Sequence, residues 1–223
     1  MDSKDNVLSR LRTALQVSGD DNTRKAAVAA RLKSAPDGVI PARGQLAPQQ
    51  QVDLFVAMAE KYSATVTRLK SAGDVPAAVS EYLRSRNLPA RICMGGDKRL
   101  GVMPWANEKH LDIKTGPSDG LDETGVSHAY GSIAETGTLM LVSGTDNPTT
   151  LNFLPENHIV VLDAASVKGD LETLMRELRQ TYGKGEMPRT VNLVTGPSRS
   201  GDIEQKIILG AHGPRALHVI VVG

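Results

Sequence analysis

The chain has 223 residues, with 26 basic against 25 acidic side chains and a formal net charge of +1. That near-balance gives no electrostatic reason for a nucleic-acid or anionic-membrane partner. A single cysteine, Cys93, excludes an intrachain disulfide, a cysteine-rich zinc site and a four-cysteine iron–sulfur cluster within one chain.

The first segment, Asp5–Lys33, reads as two helices. Val7, Leu8, Leu11, Ala14 and Leu15 recur at helical spacing, GDDNT (Gly19–Thr23) breaks the pattern, and a second helix is expected over Thr23–Ser34. The basic residues of Arg10–Lys33 are spaced as a solvated helix face, with an anion-binding arm as the alternative. PDGVIPARGQ (Pro36–Gln45) has linker composition, so Met1–Ala47 is expected to be a helical extension and Pro48–Gly223 the main domain. The start, MDSKDNVLSR, lacks the apolar centre of a signal peptide. No apolar run approaches the roughly 20 residues that span a bilayer, and a soluble cytoplasmic protein is expected.

From Pro48 onward helices and strands alternate. A helix over Gln49–Tyr62 precedes a strand at Ala64–Leu69. Asp74 is expected to cap a helix running through Arg86, with Pro76 tolerated in its first turn. Ala90–Met94 reads as a strand, followed by an irregular stretch. Strands follow at Leu139–Val142 and Ile159–Asp163, then an amphipathic helix over Gly169–Tyr182 and strands at Val191–Thr195 and Leu217–Val222. This order predicts an α/β fold with a mostly parallel sheet flanked by helices. Its core is drawn from Val, Leu, Ile and Ala, because the chain holds only two phenylalanines, four tyrosines and one tryptophan.

In an open parallel sheet, ligands bind beyond the carboxyl ends of the strands. Three strands run into Gly/Ser/Thr-rich loops: Ile92–Gly101, Leu139–Pro155 and Val191–Glu204. They are expected to share one rim, where free backbone N–H groups and Arg199 would favour an anion. No dinucleotide fingerprint or P-loop is present. GPSRSG (Gly196–Gly201) falls short of a nucleophile elbow, which discounts Ser198 as a nucleophile. The five histidines show no metalloprotease spacing. His158 opens an apolar strand and reads as a strand-end histidine, whereas His212, in GAHGP, lies on a glycine-flanked loop.

YGSIAETGTLMLVSG (Tyr130–Gly144) places Glu135 between small residues and hydroxyls. A carboxylate there can serve as a general base or an acyl nucleophile, or can simply hydrogen-bond its turn. Both readings stay open on the residues alone.

The runs AETGTLML (Ala134–Leu141), NFLPENHIVVLD (Asn152–Asp163), TGPSRSGDIE (Thr195–Glu204) and LGAHGPRALHVIVV (Leu209–Val222) resemble the LUD-domain family, most closely its lactate-utilisation C group. The resemblance covers most of Gly125–Val222. It implies a fold like that of the ribose-5-phosphate isomerase and CoA-transferase group. It also implies a part in oxidising L-lactate to pyruvate beside two iron–sulfur partner proteins, this chain being the subunit without a cluster. A glutamate is the acyl nucleophile in CoA transferases of that fold group, so Glu135 becomes the catalytic candidate by analogy. Thr136, Gly137 and Thr138 are the expected ligand-facing loop, Arg199 the anion contact and His212 a polar contact. The cofactor is left open. Two alternatives accompany this reading: an assembly subunit with no ligand of its own, and a free-standing transferase or isomerase using Glu135.

Overall fold

The structure is a computed structural model that describes residues 3–34, 36–183, 185–203 and 206–223. Two compact units divide the chain, Met1–Val39 and Ile40–Gly223.

The first unit holds α1 (Ser3–Ala14) and α2 (Asn22–Ser34), neither of which buries a residue. Asp21 Oδ1 accepts the Arg24 N–H at 2.9 Å and so caps the start of α2.

The second unit runs α3 (Pro48–Lys61), β1 (Thr65–Leu69), α4 (Val75–Ser85), β2 (Arg91–Met94), α5 (Lys98–Gly101), β3 (Asp112–Thr115) and β4 (Thr124–His128). It continues with β5 (Gly131–Ile133), β6 (Thr138–Val142), β7 (Asn157–Asp163), β8 (Val167–Lys168) and α6 (Leu171–Tyr182). The chain closes with β9 (Val191–Val194), β10 (Arg199–Ile203), β11 (Lys206–Leu209) and β12 (Ala216–Val222). Among the described residues no helix is long and apolar enough to cross a membrane.

Six strands form a wholly parallel main sheet in the order β1-β12-β7-β4-β2-β3. The expected α/β fold with a mostly parallel sheet is therefore present. Its centre is the HIVVLD and LHVIVV pair, whose residues alternate between two faces. Val160, Leu162, Val219 and Val221 join a core with Phe55 of α3, while Ile159, Val161 and Ile220 join one with Val79 and Leu83 of α4. Pro48 begins α3, where its missing N–H costs nothing. The apolar positions Val52, Phe55 and Ala59 then form the buried stripe. On the α4 side, Trp105 is 8% exposed and its indole N–H donates to Leu100 O at 2.7 Å.

A second sheet, β8-β5-β6-β9, stacks against the first, antiparallel except where β5 pairs β8. Leu139 and Leu141 of β6 face the α3 core, and Met140 points the other way onto Leu174 and Leu178 of α6. Asp170 caps α6 by accepting the Thr173 N–H at 2.8 Å. Asp74 makes no such bond for α4. Instead Ser71 Oγ accepts the Gly73 N–H at 3.1 Å and caps the preceding 3-10 turn. The stretch read as irregular before Leu139 contains β3, β4 and β5. Of these β4, TGVSH, is buried at every position.

β5 and β6 form a hairpin whose turn is Ala134–Gly137, closed by the Gly137 N–H donating to Ala134 O at 3.4 Å. Gly137 has φ +65°, and a Cβ there would lie 2.5 Å from the Ala59 backbone nitrogen. Only glycine fits both the left-handed backbone and the close approach to α3. Gly137→Ala is therefore expected to cost about 1–3 kcal/mol for the backbone alone, and more for the overlap with α3. A urea unfolding midpoint equal to wild type would contradict this turn geometry.

Candidate functional site

The loops joining β9 to β10 and β11 to β12 meet over the amino ends of β7 and β12. They enclose a cleft of about 260 Å3. Ser198 clasps the two loops together. Its N–H donates to Pro214 O at 2.9 Å, its carbonyl accepts the Gly210 N–H at 3.0 Å, and its hydroxyl accepts the His212 N–H at 3.2 Å. The hydroxyl is thus engaged in holding the loop.

Arg199 and His212 are exposed and line this cleft together. One guanidinium nitrogen, Nη2, donates to Tyr62 O at 3.2 Å and to Ser63 Oγ, which anchors Arg199 on the last turn of α3. A cation there also satisfies an orphan carbonyl and the negative end of the helix dipole. Nε and Nη1 keep no partner among the described residues. Glu204, the last residue of the run Thr195–Glu204, lies outside those residues.

The interior of the cleft holds His158, read from the sequence as a strand-end histidine, and Asn152 and Phe153, which the sequence did not single out. His158 opens β7 and is almost wholly buried, its Nε2 2.9 Å from Ser127 Oγ. Burial pushes its pKa down to about 4, so it is a neutral hydrogen-bonding group at pH 7. Asn152 is buried beside it, and Phe153 adds an apolar wall. His158 has a sequence signal, a polar residue opening an apolar run, but that pattern also describes any strand-end histidine.

Glu135 lies elsewhere. It is 6% exposed and absent from the residues lining the cleft. Its Oε2 accepts from Arg43 Nε at 3.1 Å, and its N–H donates to Gly169 O at 3.3 Å. Arg43 belongs to a 3-10 turn, Ala42–Gly44, that straps the Glu135 hairpin. The strap is fastened by Gln51 Nε2 donating to Gly44 O at 3.1 Å and Gln45 Nε2 donating to Asp170 Oδ2 at 2.9 Å. Thr136, Thr138 and Thr195 form a chain of hydroxyl contacts, each 2.7 Å, and Thr195 lines the cleft. The hairpin therefore reaches the cleft through its threonines, while its glutamate faces the strap.

The expectation that the three Gly-rich loops share one rim is overturned by strand direction. β6 pairs antiparallel with β9, Leu139 opposite Val194 and Val142 opposite Val191, so their following loops leave at opposite ends. The loops after β2 and β6 meet at the carboxyl edge of the main sheet, where Asn147 Nδ2 donates to Asp97 Oδ2 at 3.1 Å. The loop after β9 lies at the amino edge, with Arg199 and His212.

Comparison with known proteins places residues 52–222 within the model of the LUD domain. The chain is 30% identical over 100 residues to "Lactate utilization protein C" of Shouchella clausii, covering 44% of each chain. It is 27% identical over 191 residues to "Uncharacterized protein YkgG" of Escherichia coli, covering 79% of this chain and 82% of that one. The match thus spans less than half the length of the Shouchella relative. A crystal structure of a DUF162 family protein from Deinococcus radiodurans shares the fold, with a TM-score of 0.60 at 19% identity, covering 80% of this chain and 99% of that one.

His158 sets a pH dependence. Between about pH 6.5 and 4 the unfolded chain binds a proton that the buried native imidazole refuses, so the unfolded state gains protons and stability falls as pH falls. His218, pushed down to about 4 by burial and then by Arg86, acts in the same direction. Within that window each contributes a slope of about 1.4 kcal/mol per pH unit. Denaturant titrations at stepped pH are expected to show a shallower acid loss for His158→Gln than for wild type. Identical slopes would mean that native His158 protonates freely.

Proposed function

The chain belongs to the LUD domain family, and from that premise we propose that it is the subunit without iron–sulfur clusters in a cytoplasmic L-lactate oxidation system. In this role it holds a small carboxylate, lactate or pyruvate, in the amino-edge cleft. The observation that carries this reading is the composition of the cleft. A guanidinium and an exposed imidazole stand at its surface, and neutral buried polar groups, His158 and Asn152, line its interior. Arg199 supplies the positive charge for the carboxylate. His158 and Asn152 suit the adjacent hydroxyl or oxo group, since a neutral imidazole paired with a serine hydroxyl can either donate or accept. Electrons pass through iron–sulfur partner proteins. Cys93 is buried and its thiol is pushed up to about 11, chiefly by burial and then by Asp122, which suits a structural residue.

Glu135 enters this reading through its hairpin. Its carboxylate fixes Arg43 and the strap, and the Thr138–Thr195 pair transmits that placement to the cleft wall. A nucleophilic role for Glu135 requires Arg43 to withdraw.

A docking role for the N-terminal unit has its own support. Val7, Leu11, Leu15 and Leu32 are each more than half exposed, a pattern that suits burial against another protein.

Titration calorimetry with lactate and pyruvate tests the ligand. Binding is expected to weaken roughly ten- to hundredfold in Arg199→Ala, the loss of one charge-assisted hydrogen bond, with melting temperature monitored because Arg199 also anchors α3. Absence of heat with the folded full chain, alone and with its partners, would refute the carboxylate site. Co-purification with the iron–sulfur partners is expected to be lost on deleting residues 1–39. Undiminished association would free those helices of any docking role.

A further inference from the structure

We propose that the carboxyl edge of the main sheet is a second ligand site, where His128 Nε2 and the Asp163 carboxylate together receive the ammonium group of a small amine. The site stands apart from the amino-edge cleft, since His158 and Asp163 lie near opposite ends of β7.

A cavity of about 250 Å3 lies between the loops that follow β2 and β6, lined by Arg99, His128, Tyr130, Ser143, Asp146 and Tyr182 among others. Its walls are locked in place. A Cβ on Gly95 would sit 2.2 Å from Asp146 O, so only glycine permits the two loops to close on each other. The Asn147–Asp97 hydrogen bond then ties them.

His128 ends β4 with 3% exposure. Its Nδ1 is 2.9 Å from Ala129 O, a pure acceptor, so Nδ1 carries the hydrogen. The neutral ring therefore presents a bare lone pair at Nε2, which has no hydrogen-bond partner among the described residues. Asp163 Oδ1, also an acceptor, lies 3.7 Å from it. Two acceptors face each other with no donor between them. Protonating the ring would supply one, but burial and then the neighbouring Arg99 hold the His128 pKa below its ordinary value. A donor entering the cavity from outside the chain would bridge the two acceptors.

Charge selects the kind of donor. Arg99 is the lone Lys or Arg among the described lining residues, and it is already neutralised by Asp97, with Nη2–Oδ2 2.7 Å and Nε–Oδ1 3.0 Å. Its Nη1 donates to Ala129 O at 3.0 Å. Burial raises the Asp97 pKa, but the hydrogen bonds from Arg99 and Asn147 outweigh it and bring it down to about 2, so the pair stays ionised. Asp146 and Asp163 have no Lys or Arg partner among the described residues. Asp146, which lines the cavity, and Asp163, 3.7 Å from the His128 ring, disfavour an anion and favour an ammonium, whose three N–H groups meet the two acceptors with one to spare. Tyr130 and Tyr182 also line the cavity.

Three two-carbon probes of similar size separate charge from shape: ethanolamine, ethylene glycol and glycolate. Each is titrated into the full chain and followed by calorimetry and by the NMR signals of the histidine rings. Ethanolamine is expected to bind and to shift His128 while leaving His158 in place, with the other two at least roughly tenfold weaker. Asp163→Asn, at a side chain 51% exposed and so tolerant of change, is expected to weaken ethanolamine binding roughly tenfold or more. His128→Gln should do the same. Equal or tighter binding of glycol or glycolate, ethanolamine binding indifferent to Asp163→Asn, or no ethanolamine binding by the folded protein would each overturn the proposal. None of these outcomes depends on whether lactate binds at the amino edge.

Discussion

The parallel pairing of β7 with β12 is the constraint from which the rest of the molecule follows. Seven residue pairs run in register from Asn157–Ala216 to Asp163–Val222, and the strands bury almost all of their side chains. Backbone hydrogen bonding and apolar burial act together here, because every alternate residue is demanded by a different core. A shift by one residue would exchange the sets facing α3 and α4. The same register fixes where polar residues fall, with His158 near one end and Asp163 at the other. At about 3.3 Å per residue, seven residues separate the two edges by roughly 20 Å.

The second sheet turns that division into two chemically different regions. The antiparallel match of β6 to β9 carries the strand ends apart, so Arg199 and His212 gather at one edge while Asp146 and Asn147 gather at the other. One edge offers a guanidinium, an exposed imidazole and the neutral, buried His158. The other has its arginine already engaged by Asp97 and, among the described residues, keeps two carboxylates, Asp146 and Asp163, with no Lys or Arg partner. Glu135 lines neither cavity. Its carboxylate accepts from Arg43, and its turn presses Gly137 against α3.

Much of the fold was legible because the residues that build it are neighbours in sequence. Apolar periodicity located α3, α4 and α6 to within a few residues, and the apolar runs of β7 and β12 announced the sheet centre. β4 was not legible. TGVSH carries one aliphatic side chain and owes its burial to the strands on either side. The cap of α4 was misplaced because Ser71 and Asp74 both have capping chemistry and only the backbone path decides between them. Site residues divide in the same way. Arg199 and His212 stood out by loop composition, but the Arg43–Glu135 pair joins positions 92 residues apart, and Thr138–Thr195 joins positions 57 apart. Whether two loops meet depends on strand direction in the sheet, which no local pattern encodes.

Trp105 gives this arrangement a practical corollary. It is the sole indole of the chain, it is buried, and its N–H is tied to Leu100, the neighbour of Arg99 on α5. Intrinsic tryptophan emission is therefore a one-sided optical gauge: it registers rearrangement where α5 meets the sheet and stays nearly silent to events at the far rim.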